Sequence, residues 1–86
     1  MINKNKEFSV EHQYQLYLQR VGLKESMMNP IQKKETKQAF FGAVGQILVM
    51  QRDELSELNE EDAVDTLQDM WNQVSNYFIS INRKFN

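Results

Sequence analysis

Hydrophobic positions along the chain fall into three periodic runs separated by two breaks. In the first run Val10, Tyr14, Tyr17, Leu18 and Val21 recur at spacings of 4, 3, 1 and 3, which places them on one face of an α-helix. Ser9 stands where an N-cap belongs. Gly22 stands at the position after the helix, where a left-handed residue ends it and lets Leu23 fold back on Leu18. A helix over 9–21 is predicted. Leu16 lies on its other side, either as an ordinary exposed leucine or as part of a contact surface.

The break at Lys24–Met28 reads as a connector with room for one helical turn. Asn29-Pro30 then opens the second helix: Asn caps, Pro occupies the first helical position without losing a hydrogen bond, and Gln32 sits at the capping-box position. This helix is predicted over 30–55, about 39 Å long at 1.5 Å per residue. Past Thr36 it is apolar nearly all round. Phe40, Phe41, Val44, Ile47, Leu48 and Leu55 gather on one broad face, with Gln38, Gly42, Gly45 and Val49 roughly opposite. A helix that is apolar on two sides asks for cover on both. Either the flanking helices sandwich it within one chain, or the glycine face meets a second copy.

Asn59, followed by Glu60, Glu61 and Asp62, caps and charges the start of a third helix in the sense its dipole favours. Val64, Leu67, Trp71, Val74, Phe78, Ile81 and Phe85 then repeat at 3-4 spacing, the a/d pattern of heptads. Met70 and Tyr77 widen the stripe, and Arg83 and Lys84 suit the C-terminal end. The third helix is predicted over 60–84, as a core helix of a bundle or as a homodimeric seam. The fold class expected is all-α: a compact bundle of three main helices (9–21, 30–55 and 60–84), one domain over 9–86, preceded by a flexible arm at 1–8. Self-association is expected, with Leu16, Gly42, Gly45 and Val49 as its candidate residues.

Composition removes most chemistry. Among 86 residues there is no cysteine and one histidine, His12, so thiolate and paired-histidine metal sites and a Ser-His-Asp triad have no basis. No phosphate-binding glycine loop, HExxH or ExxH spacing occurs. The eight acids between Asp53 and Asp69 do not follow the spacing of a calcium loop and read as a solvated corner. No catalytic residue, cofactor or metal is expected, and the protein reads as a non-enzyme. Met1–Ser9 lacks the apolar core of a signal peptide, and the longest apolar stretch, Ala39–Met50, is too short to span a bilayer. A cytoplasmic protein without a membrane partner is expected.

Charge changes the picture more. Residues 1–43 hold seven Lys/Arg against four acids, and residues 44–86 hold three against eight. Such polarity suits head-to-tail association or an oriented partner, whereas double-stranded nucleic acid asks for a basic domain overall. Lys33, Lys34 and Lys37 crowd the start of the second helix against its dipole and form a possible anion-binding cluster.

The stretch from Glu35 to Leu55, ETKQAFFGAVGQILVMQRDEL, resembles small helical proteins carried by bacteriophages and prophages of gut bacteria, as does EHQYQLYLQRVG at 11–22. The resemblance implies a phage-type accessory or counter-defence role in the host bacterial cytoplasm, exercised by binding a host protein. The charged turn leading into Ala39-Phe40-Phe41 is also similar to the central helix of phage sponge proteins, which sequester cyclic nucleotides. It lacks the arginine such proteins would place near Gly45.

Overall fold

Local capping chemistry sets where each helix starts. Ser9 accepts a hydrogen bond from the backbone N–H of His12 through its hydroxyl at 3.0 Å, Asn29 Oδ1 accepts from Gln32 N–H at 2.8 Å, and Asn59 Oδ1 accepts from Asp62 N–H at 2.8 Å. In the computed structural model, which describes residues 8–85, these caps open helices α1 (Val10–Val21), α2 (Pro30–Asp53) and α3 (Glu60–Ser80). Single 3-10 turns at Glu25–Met27 and Leu55–Glu57 join them. The described residues contain no strand, so the chain is all-α. The arm expected at 1–8 lies outside the described residues except for Phe8.

Helix ends separate the expected from the observed. At the end of α1, Gly22 adopts φ 75°, Gly22 N–H donates to Gln19 O at 3.2 Å and Leu23 N–H donates to Leu18 O at 2.9 Å. This is the Schellman ending read from the sequence. Helix α2 runs unbroken through Gly42 and Gly45 but stops at Asp53, two residues before the expected Leu55. Ser56 Oγ donates to Arg52 O at 2.7 Å, giving a terminal carbonyl a side-chain donor in place of the next helical turn. Leu55 sits in the 3-10 turn instead and is buried.

Helix α3 stops at Ser80, well short of the expected 84. Asn82 turns left-handed at φ 61°, Asn82 N–H donates to Ile79 O at 2.9 Å and Arg83 N–H donates to Phe78 O at 2.8 Å. It is a second Schellman ending, with asparagine in the glycine's place. Reading the heptads through to Phe85 as one continuous helix is thereby corrected.

The chain divides after Gln46 into two compact units, the first ending within α2 and the second starting there. In the first, Tyr14 is completely buried and Leu18 nearly so. The Phe40 ring lies 5.4 Å from Tyr14 and 5.2 Å from Tyr17, and Phe41 lies 6.2 Å from Tyr14. These separations are in the range where aromatic pairs add to plain area burial. In the second unit Leu55 is the buried hydrophobic residue. Phe85 packs on Phe78 at 5.0 Å and on Trp71 at 6.0 Å.

No residue of α2 or α3 is fully buried. On α2, Phe40 and Val44 are half-buried while Phe41, Ile47, Leu48 and Val49 are exposed. On α3 the heptad positions Val64 (57%), Leu67 (48%), Trp71 (40%) and Val74 all remain exposed, as does Ile81 just after the helix. The stripe that periodicity marks as core is largely open.

Candidate functional site

The polar chemistry of the first unit is built around its aromatic cluster. Tyr14, buried among Phe40 and Phe41, donates its hydroxyl to Glu25 Oε2 at 2.9 Å. Burial first, and then that hydrogen bond, push the Tyr14 phenol from its ordinary 10.0 up to about 12, because both disfavour a phenolate. Lys37 reaches from α2 to Glu11 on α1, Nζ to Oε1 at 2.9 Å. Its ammonium lies 5.6 Å from the Tyr14 ring centroid and 5.7 Å from that of Phe41, within cation–π range. The hydrogen bond to Lys37, followed by that from Gln15, holds the Glu11 carboxyl below its usual value, and the hydrogen bond to Glu11 raises Lys37 above its own.

This divides the lysine cluster. Lys37 is engaged with Glu11, while Lys33 and Lys34 stand exposed at the start of α2. Beside them the connector forms a second feature, unread in the sequence. Met27 (81%) and Ile31 (70%) are among the most exposed large hydrophobic side chains, with Leu23 also exposed. Gly22, Leu23, Lys24, Met27, Met28 and Gln32 line a hollow of about 400 Å³. The result is an exposed apolar knob with Lys24 at its edge, and Lys33 and Lys34 follow it, exposed, at the start of α2. The one cue in the sequence is the methionine pair before Asn29, since a connector has no structural need for two large hydrophobes.

The second unit carries the opposite pattern. All eight acids from Asp53 to Asp69 are exposed, as a solvated corner requires. Asp53 takes both Arg52 nitrogens, Nε at 2.6 Å and Nη2 at 2.9 Å. Asn59 Nδ2 donates to Asp62 Oδ2 at 3.2 Å. Asn59, Glu60, Glu61, Val64 and Asp65 line an open depression of about 570 Å³, with the exposed Val64 as its apolar member. Among the described residues no group of three or more His, Asp and Glu side chains is arranged to hold a metal ion. His12 is half-buried on α1.

Of the predicted self-association residues, Gly42, Gly45 and Val49 lie on α2 and Leu16 on α1. Gly42, Gly45 and Val49 follow one another along α2 at helical spacing, and a Cβ at either glycine would meet nothing within 4 Å. Among the described residues, close packing therefore does not account for these glycines. Val49 is 45% exposed, and Leu16 is 37% exposed on α1, on the side of that helix away from Tyr14 and Leu18. No described helix is long and apolar enough to cross a membrane. No family model matches the chain, and no curated protein or solved structure is significantly similar to it.

Proposed function

We propose that this chain is a non-catalytic binding module that works by protein–protein contact and self-associates. The observation that supports this reading is the apolar stripe at the start of α3, where Val64 is 57% and Leu67 48% exposed at regular a/d positions. Single exposed hydrophobes are ordinary, but a periodic row of them marks a surface meant to be covered. Val49, exposed beside Gly42 and Gly45 on α2, and Leu16, exposed on α1, are the further candidate contacts. The phage-type accessory or counter-defence role, with a host protein as partner, rests on the resemblance of the 11–22 and 35–55 stretches.

Light scattering coupled to size exclusion, run across a concentration series, tests the proposal. A mass that rises above 10.2 kDa with concentration is the expected result. A strict monomer at every concentration overturns self-association. The alternative reading, an anionic-ligand sponge at Lys33, Lys34 and Lys37, is weakened by the engagement of Lys37 with Glu11. A thermal-shift panel of cyclic nucleotides that raises the melting temperature would restore it.

A further inference from the structure

Two exposed apolar features among the described residues carry opposite charge. The knob of the first unit presents Met27 and Ile31, with Lys24 beside Met27 in the lining of the hollow and Lys33 and Lys34 exposed at the start of α2. The start of α3 presents Val64 and Leu67, with Leu58 (41% exposed) just before the helix. Glu60, Glu61 and Asp65 line the same depression as Val64, and all three are exposed. Each surface has what the other lacks: side chains that need apolar cover, rimmed by charges that need counter-charges.

From this complementarity we infer that the Met27–Ile31 knob of one copy docks on the Val64–Leu67 patch of a second copy, with Lys24 and Lys34 facing Glu60, Glu61 and Asp65. The inference rests on the self-association proposed above and assigns its surfaces and its polarity. Charge of matching sign pattern steers and orients association, while the apolar contacts hold it. The lower part of the α3 stripe is a poorer partner for a second α3. Phe85 of the same chain already packs on Trp71 and Phe78 there, whereas Val64 and Leu67 stay open. An anionic lipid surface fits the knob less well. Glu35 follows directly on the two lysines, and electrostatic membrane recognition calls for a denser cluster, about 4–8 basic residues.

Charge reversal on each side, followed by mixing, tests the inference. Lys33→Glu with Lys34→Glu places acids at the N-terminus of α2, where the helix dipole favours them, so this variant keeps its fold. It is expected to weaken self-association by about tenfold or more. Glu60→Lys with Glu61→Lys is expected to do the same, and an equimolar mixture of the two variants to recover assembly, since each then meets an opposite charge. Circular dichroism checks the fold of the second variant, because its lysines oppose the α3 dipole. If it does not fold, Met27→Glu takes its place and must also dissociate the assembly.

Wild-type self-association should weaken as salt rises, in step with charge screening. If the wild type assembles and the Lys33/Lys34 variant assembles equally well, the knob is not the contact and this inference fails while self-association stands. If the wild type is monomeric throughout, both fail. Sedimentation with phosphatidylserine vesicles, lost in the Lys33/Lys34 variant without any change in assembly, would reassign the knob to lipid.

Discussion

The Phe85 ring lies 6.0 Å from the Trp71 ring in edge-to-face geometry, although a continuous helix would set these two positions about 21 Å apart along its axis. The chain reaches this contact by ending α3 at Ser80 and reversing through the left-handed Asn82. The hook brings Phe85 onto Phe78 as well, so three aromatic rings share cover that α3 by itself would not give them.

Removing the hook should therefore be visible in the one tryptophan. Phe85→Ala is expected to shift Trp71 emission to longer wavelength and to cost about 1–2 kcal/mol of stability in urea, combining a lost aromatic pair with lost burial. Unchanged emission would show that Phe85 does not cover Trp71 in solution.

The reversal itself depends on Asn82. Left-handed backbone costs an ordinary L-residue roughly 1–2 kcal/mol, and glycine almost nothing. Asn82→Ala should lower the urea midpoint by an amount corresponding to about 1 kcal/mol, whereas Asn82→Gly should match the wild type or exceed it slightly. Equal midpoints for the alanine and glycine variants would contradict a left-handed residue at 82.

Tyr14 supplies a pH dependence with a definite sign. Its phenol titrates at about 12 in the folded chain against an ordinary 10.0. Below the ordinary value both folded and unfolded chains keep the proton, and the contribution of Tyr14 to stability is complete. Between the two values the unfolded chain releases the proton while the folded chain resists, so stability falls as pH rises through that window. Ultraviolet titration should show a tyrosine step near 12 that disappears in Tyr14→Phe. The same variant loses the hydroxyl donated to Glu25 and is expected to be less stable by about 1 kcal/mol.

The glycines of α2 offer a test of opposite sign. A Cβ at Gly42 or Gly45 meets open space within the chain, so each change to alanine should stabilise the folded state by about 1 kcal/mol through helix propensity. Chemical denaturation of the single and double variants measures it. Gly45→Leu should likewise keep its helical circular dichroism. Loss of assembly in that variant would place the second copy on the glycine face.

What could be read ahead of the structure was what adjacent residues settle among themselves. Ser9, Asn29-Pro30 and Asn59 mark the helix starts because a cap bonds to an N–H only three residues on. Gly22 marks an end because its conformational freedom is local. Asn82 is local too, but the heptad pattern ran through it, and asparagine signals a left-handed end less strongly than glycine does. The engagement of Lys37 with Glu11, the Tyr14 hydroxyl on Glu25 and the knob at Met27 and Ile31 had no comparable signal. Each depends on which residues from distant parts of the chain meet, or fail to meet, around it.

The sequence by itself determined an all-α chain, its three helix starts, the split of charge between its halves and a composition without cysteine. Those follow from periodicity, capping and composition, which act over a turn or two or over simple counts. Only the tertiary structure decided which apolar positions are covered. Periodicity shows that Val64, Leu67 and Trp71 share a face, but burial requires a neighbour to lie against that face. Here Phe85 folds back over Trp71, and Val64 and Leu67 are left open.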